Sequence, residues 1–326
     1  MAQSDGETLV LSRDDVSDLI DLPAAIDVTR EALREQARGA AVEQPPTHLD
    51  LRERASLRTV RGALLDSRRT GVRVTGAHDL AGPSGAALLF ETERADLLSV
   101  MAYPFGTLRT AAVIGVAVDV LAGPSAGIVT LIGTGRNALG LLEAAALVRP
   151  VTEVRVFGRN DQRRDEFVAL AKKALTAEVT GFADLTQALD GAQVVIVSTN
   201  STVPVIERAD VGPDVLVAGM GVPSEFPDDL YLEADSVVVS SKAHEKGFDE
   251  VWHGTLRSTL VDLDADGRLP WGSVTQLSDL VDAAAPPRTG VRVFRESAGG
   301  YGDIALASYV YEQALSRGRG HRVRFS

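Results

Sequence analysis

Hydrophobic positions change their spacing in blocks along this chain. Near the N-terminus they recur every three to four residues, the spacing of one helix face. Ser12-Arg13-Asp14-Asp15 reads as a capping box that opens a helix over Val16, Leu19 and Ile20. Pro23 suits the first turn of a second helix, which carries Ile26, Ala32 and Leu33 and ends near Gly39. Pro45-Pro46 predicts an extended turn. The spacing then shortens. Runs at 58–65, 71–75, 86–90 and 97–102 are strand-like and are separated by glycine, proline and charged residues, the pattern of an antiparallel sheet. Helical spacing returns over 107–121.

The second half alternates strand and helix. Ile128-Val129-Thr130-Leu131-Ile132 is a run of mostly β-branched apolar residues, as in a strand buried on both faces. A helix over 137–148 and a strand at 154–157 follow. Asn160 can cap a helix over 161–175, ahead of a weak strand near Val179 and a short helix near Leu185 and Leu189. Further strands are predicted at 193–197, 215–218, 236–239 and 291–294, with helices over 242–251 and 303–315. Such alternation implies a parallel, doubly wound sheet. The expected fold is α/β: a Rossmann-type sheet over 123–302, joined to an α+β domain over 1–122 that supplies the substrate pocket and to which 303–326 returns.

Between the strand at 128–132 and its helix lies Gly133-Thr134-Gly135-Arg136-Asn137-Ala138, which fits G-x-G-x-x-G/A. The first glycine permits the tight turn, the second lets a pyrophosphate approach the backbone, and the small Ala138 lets helix and strand pack closely. The free N–H groups at the helix start suit the same anion. These six residues are therefore candidates for a dinucleotide. Ser198, Thr199 and Asn200, with Gly219, Met220 and Gly221, stand at the ends of later strands and are expected to border the nicotinamide. Folds of this kind that bind NAD place an acidic residue at the end of the second strand, on the ribose hydroxyls. Here that place reads Phe157-Gly158-Arg159-Asn160, with no carboxylate. A guanidinium pairs well with a 2′-phosphate, so Arg159, with Asn160 beside it and Arg163 one turn on, predicts that NADP(H) is preferred and NAD(H) possible.

Composition sets the outer limits. A chain of 326 residues, 45% hydrophobic and 24% charged, is that of a soluble globular protein long enough for two domains. Its formal charge of −12 argues against a general partner for nucleic acid or anionic membranes. Arg317, Arg319, Arg322 and Arg324 read as a solvated or packed tail. The absence of cysteine excludes disulfides, thiol nucleophiles and thiolate metal sites. The N-terminus lacks the basic and apolar regions of a signal peptide and no apolar run reaches a membrane span, so a cytoplasmic location is expected. The five histidines show no metal-ligand spacing, so no metal is expected, and His244-Glu245-Lys246 is expected to be solvated. Gly123-Pro124-Ser125-Ala126-Gly127 has the letters of a nucleophile elbow but joins a helix to a strand rather than the reverse, and is read as a loop.

Along most of its length the chain resembles the ornithine cyclodeaminase/mu-crystallin family. Leu108-Arg109-Thr110-Ala111-Ala112 ahead of the glycine motif carries the resemblance, with Val148-Arg149-Pro150, Glu153-Val154-Arg155-Val156, Ser198-Thr199-Asn200 with Pro204, and Phe294-Arg295 leading to Asp303-Ile304-Ala305. The resemblance implies a substrate-binding and dimerisation domain beside the Rossmann domain, a homodimer, and a small amino, imino or keto acid as substrate. It also implies a carboxylate held by a lysine and an arginine. The arginine falls on Arg109, and Arg73 of Gly71-Val72-Arg73 stands at the lysine's place. A further family arginine is replaced around Pro46-Thr47-His48.

The cyclodeaminases of this family use an aspartate after a glycine at the end of the fifth strand. Here the stretch Ala218-Gly219-Met220-Gly221-Val222-Pro223-Ser224-Glu225 is shorter and lacks it. Cyclodeamination needs a proton shuttle at each stage, whereas hydride transfer to an imino acid needs a held carboxylate, a placed carbon and one proton. The resemblance thus implies an NAD(P)H-dependent oxidoreductase that reduces an imino or ketimino acid, or oxidises an amino acid, at the C–N bond. Arg73 and Arg109 would clamp the carboxylate, and His48 or His78 would deliver the proton, with Glu225 a further candidate. The alternatives are an opine-like or amino-carboxyethyl amino-acid dehydrogenase, a true ornithine cyclodeaminase, and an NADPH-binding protein of low activity.

Overall fold

The computed structural model describes residues 7–50, 55–78, 84–103, 106–222, 224–247, 257–297 and 299–325, and the side chains of Asp50, Ala77 and His78 lie outside the described set. The chain divides into two compact units, Met1–Arg109 with Ala298–Ser326, and Thr110–Ser297.

In the first unit, β1 (Glu7–Leu11), β2 (Ala41–Asp50), β3 (Ala55–Leu64), β4 (Arg69–His78), β5 (Ser84–Glu91), β6 (Leu97–Ala102) and β15 (His321–Arg324) form one sheet in the order β15-β1-β6-β5-β4-β3-β2. Its pairs are antiparallel except β1 with β6, which run parallel. Three helices belong to this unit: α1 (Arg13–Ser17), α2 (Leu22–Ala37) and α10 (Gly300–Arg317). The predicted capping box forms, with Ser12 Oγ accepting from the Asp15 N–H at 3.2 Å and Asp15 Oδ2 accepting from the Ser12 N–H at 3.0 Å. The helix it opens is shorter than its apolar spacing predicts, and Leu19 and Ile20 lie beyond it. The cause is the next start signal: Asp21 accepts from the Ala24 N–H at 3.0 Å and caps α2, so the chain must turn before it.

Pro45 and Pro46 sit within β2 rather than in a turn. The register with β3 shifts between Gln44 and Thr47, and β2 is the edge strand, so the two missing N–H groups fall at a bulge on an edge. The arginine-rich tail is solvated and packed, as expected: its last part, His321–Arg324, forms β15, whose side chains are exposed and whose backbone pairs with β1.

Helix α10 lies against β3 and β4. A Cβ on Gly62 of β3 would stand 2.5 Å from the Gly300 carbonyl carbon, and one on Gly300 would run into the Arg61 carbonyl. Two facing glycines thus let helix and strand meet backbone to backbone. Asp303 follows one turn later in the same helix. Val60, two residues from Gly62 on the same face, is the register partner of Arg73.

In the second unit, β7 (Ile128–Ile132), β8 (Glu153–Phe157), β9 (Glu178–Phe182), β10 (Val194–Val197), β11 (Val215–Gly219), β12 (Ser236–Val239), β13 (Val274–Gln276) and β14 (Val291–Arg295) form a parallel sheet in the order β13-β12-β14-β11-β10-β7-β8-β9. The strands that follow β7 run outward on one side, and β10 and later strands on the other, so the order reverses at β7/β10. In such sheets ligands bind beyond the carboxyl ends of the strands at this reversal. The connecting helices include α4 (Ala138–Val148), α5 (Asp161–Ala174), α6 (Leu185–Leu189), α7 (Asp228–Leu232), α8 (Lys242–Lys246) and α9 (Thr259–Ala265). Strand β13 and helix α9 have no counterpart in the sequence pattern, and the predicted extension of α8 beyond 247 lies outside the described residues. Strands β10 and β11 are fully buried, as their unbroken apolar runs require. Among the described residues no helix is long and apolar enough to cross a membrane.

Helix α3 (Gly106–Leu121) carries the division between the units at Arg109/Thr110. Two arginines satisfy the carbonyls that its last turn leaves open. Arg149 donates from Nη2 to the Asp119 and Ala122 carbonyls and from Nη1 to Asp119 Oδ1 at 2.5 Å, and Arg288 donates to the Val120 and Asp119 carbonyls at 3.1 and 3.2 Å. Replacing buried Arg149 by methionine keeps the stem but strands these oxygens, so Arg149→Met is expected to cost about 2–4 kcal/mol of stability, read as a lower urea midpoint.

Candidate active site

The cleft of the second unit begins where β7 stops. Gly133 has φ +100, and a Cβ there would run into the Ser198 carbonyl, so no other residue fits the turn. At Gly135 the nearest atom to a Cβ is the Ser198 oxygen at 3.9 Å, so the chain itself leaves that space open. Asn137 precedes α4 without capping it. Its Nδ2 instead donates to Met220 Sδ at 3.6 Å, and Ser198 Oγ donates to the same sulfur at 3.8 Å. The first turn of α4 therefore keeps backbone N–H groups for an anion.

The cleft encloses about 750 Å³. Of the residues expected from the sequence, Gly133, Thr134, Gly135, Arg136, Asn137, Arg159, Asn160, Ser198, Thr199, Asn200 and Met220 line it, while Ala138, Gly219 and Gly221 do not. Ala138 is fully buried at the start of α4, and Gly219 and Gly221 flank Met220. Arg136, Arg159 and Arg163 bring three guanidiniums to the lining, and among the described residues no Asp or Glu lines it. All three are exposed and make no ion pair among the described residues, whereas neighbouring Arg164 is buried and paired with Asp161 at 2.7 Å. Asn160 has its Oδ1 engaged by the Arg163 N–H at 2.9 Å, which fixes the start of α5 beside Arg159. The donor set, the open space at Gly135 and the excess of cations fit a nicotinamide dinucleotide.

Behind Met220 lies a buried charge cluster in the same unit. Arg295, at the end of β14, donates from Nη1 to Glu225 Oε1 at 2.7 Å and from Nε to Glu245 Oε1 at 3.0 Å. Glu225 is 1% exposed and Glu245 fully buried, and Ser258 Oγ also donates to Glu245. His244 and Glu245 are thus core residues, contrary to the solvated helix start expected from the sequence. Ser241 caps α8 and turns this face inward, and the Arg295 charge takes up that of Glu245. Burial works against the Arg295 charge, but Glu245 and Glu225 outweigh it and its pKa is raised. Burial pushes Glu225 up to about 7, although Arg295 and the Gly221 N–H pull it down.

The first unit brings together residues distant in sequence. Asp303 of α10, 1% exposed, pairs with Arg73 Nε at 2.9 Å and Arg109 Nε at 3.5 Å, and it accepts the Tyr103 hydroxyl. Arg73 lies over the Tyr103 ring, 5.1 Å from its centroid. The structure thus joins the two expected arginines, but on a shared internal carboxylate. Burial and the Asp303 charge push the Tyr103 phenol up, so it keeps its proton. Tyr103 carries no signal in the sequence, and Asp303 enters the sequence analysis only as part of a motif.

His48 is opposite Arg58 across β2 and β3, and burial with that guanidinium lowers its pKa to about 4. It is neutral near pH 7, which makes it a weak proton donor there. His78 closes β4, and its side chain lies outside the described residues.

A Δ1-pyrroline-2-carboxylate reductase from Bacillus cereus is 26% identical over 246 residues, 74% of each chain. An alanine dehydrogenase from Archaeoglobus fulgidus is 26% identical over 330 residues, 98% of this chain and 99% of the other. The solved Δ1-pyrroline-2-carboxylate reductase of Thermococcus litoralis, in complex with NADH and L-proline, superposes with a TM-score of 0.86 at 22% identity, covering 97% of this chain and 100% of that one. The family model for the ornithine cyclodeaminase/mu-crystallin family matches residues 6–318, and the chain belongs to that family.

Proposed function

We propose that this protein is an NAD(P)H-dependent oxidoreductase that works at the carbon–nitrogen bond of a small amino or imino acid, with reduction of an imino or ketimino acid as its main direction. The observation that carries this reading is a glycine-turn cleft that, among the described residues, holds three unpaired arginines and no carboxylate, in a chain of this family. The relatives named pyrroline-carboxylate reductase and alanine dehydrogenase support the same bond.

Gly133 to Ala138 and the start of α4 would hold the pyrophosphate, with Ser198 to Asn200 and Met220 towards the nicotinamide. Arg159, with Arg163 beside it, would take the 2′-phosphate, so NADP(H) is the preferred form and NAD(H) a possible one. When bound, the dinucleotide supplies or takes the hydride. Arg73 and Arg109 would hold the substrate carboxylate. Their ion pairs with Asp303 engage Nε and leave the two terminal nitrogens of Arg73 for a ligand. Tyr103, on Asp303 beneath Arg73, commits its hydroxyl proton to that carboxylate and is a weak acid at neutral pH, as neutral His48 is, so its role here is to support the two arginines.

Met220 stands where cyclodeaminases have their acid, and Glu225 nearby is committed to Arg295. Ammonia elimination therefore has no evident shuttle, which weighs against ornithine cyclodeamination. A homodimer in the cytoplasm, where reduced nicotinamide cofactors are kept, completes the proposal, and light scattering at twice the chain mass is the result expected of it.

The direct test is oxidation of NADPH and NADH over a panel of cyclic ketimino acids, Δ1-pyrroline-2-carboxylate among them, and keto acid–amine pairs, with conversion of ornithine to proline assayed alongside. No turnover of either cofactor with any of them would sink the reading. Two variants separate the roles. Arg159→Ala should raise the KM for NADPH roughly tenfold and leave that for NADH nearly unchanged. Arg73→Met should raise the KM for the acid by roughly tenfold to a hundredfold while NADPH binds as before. An unchanged acid KM would remove Arg73 from the clamp.

A further inference from the structure

Glu225 explains two glycines that the cleft itself does not use. A Cβ on Gly219 would run into Glu225 Oε1, and one on Gly221 would stand 2.5 Å from Glu225 Oε2. The turn Gly219-Met220-Gly221 is therefore free of side chains on either side of Met220 because a buried carboxylate fills that space. Three backbone groups of the turn are then held. Glu225 Oε2 accepts from the Gly221 N–H at 2.9 Å, and Arg295 Nη2 donates to the Gly221 carbonyl at 3.4 Å. The Glu296 N–H donates to the Gly219 carbonyl at 2.8 Å, beside the Gly219–Arg295 register pair of β11 and β14. Met220 alone of these three lines the cleft, with its sulfur set against Asn137 and Ser198.

We propose that Glu225, clamped by Arg295 and backed by Glu245, is a positioning residue for the cofactor: its carboxyl builds the Gly219–Gly221 turn and so places the Met220 wall of the dinucleotide cleft. This rests on the reading of that cleft as a nicotinamide dinucleotide site. Glu225 touches neither cofactor nor substrate; it acts through Met220.

The cluster is also sensitive to pH. The charged and titratable groups around Glu225 are Arg295 from β14, Glu245 from α8 and Tyr231 from α7. Below about 7 Glu225 is protonated, and Arg295 is matched by Glu245 alone. Above it, two buried carboxylates share one guanidinium. The folded-state value is raised from 4.5 to about 7, so the folded protein holds a proton that the unfolded chain has lost in between. Its contribution is complete at low pH and is lost as pH rises through that window.

The experiment compares wild type, Glu225→Gln, Glu225→Ala and Gly221→Ala, each with its fold checked by circular dichroism. Two quantities are read: the melting temperature of the cofactor-free protein from pH 5 to 8, and the Kd for NADH. NADH is the probe because a 2′-phosphate titrates in the same range. His48, whose folded value is lowered to about 4, pushes melting the other way but equally in every variant, so the difference is read: wild-type melting should fall with rising pH relative to Glu225→Gln, which cannot ionise. Glu225→Ala and Gly221→Ala should weaken NADH about tenfold, with Glu225→Gln recovering most of the loss. If Glu225→Ala does not fold, Gly221→Ala carries the same comparison, since it displaces the carboxylate without removing it. NADH binding at wild-type strength in the folded variants would overturn the positioning role alone, as would equal losses in Glu225→Gln and Glu225→Ala with the melting slope intact. A wild-type protein that binds neither NADH nor NADPH would instead overturn the cofactor reading beneath it, and one that binds NADPH alone is compared with its variants through NADPH.

Discussion

A buried charge needs a buried counter-charge, and each unit of this chain is built on one such match. Asp303 in the first unit draws in Arg73, Arg109 and Tyr103, and Arg295 in the second draws in Glu225 and Glu245. Truncating one partner of such a pair leaves the other uncompensated, so the elements that carry them have little freedom to shift. The backbone follows from this. Gly62 and Gly300 allow α10 to bring Asp303 down to β4, and Gly219 and Gly221 make room for Glu225. Glycines that look like loop punctuation in the sequence are the places where an ion pair has to be admitted.

Charge is distributed unevenly in a way that bears on the ligand. The chain carries −12 overall, yet among the described residues the cleft lining holds Arg136, Arg159 and Arg163 and no carboxylate. An acidic surface keeps a protein soluble and away from nucleic acid, while a local cationic lining raises the concentration of small anions at one place. The first unit gathers the guanidiniums of Arg73 and Arg109 on Asp303. Both charge patterns fit a family whose relatives act on small amino and imino acids with nicotinamide cofactors.

The sequence by itself determined the features that are local. The strand–glycine turn–helix unit at Ile128–Val148 declares itself by spacing, the capping box at Ser12 by its letters, and the missing acid at the end of β8 by what stands there instead. Arg109 was legible through a motif. What the sequence left open depends on partners far along the chain. Strands β1 and β15 form because residues near the two ends pair with each other, and the prolines of β2 are tolerated because that strand lies at an edge. Tyr103 joins Asp303 across 200 residues, and Glu245 turns from an expected surface charge into a core anion because Arg295, 50 residues on, meets it. Local spacing reports which face of an element is apolar. Whether a charged side chain is buried depends on whether a counter-charge arrives to meet it, and only the tertiary structure decides that.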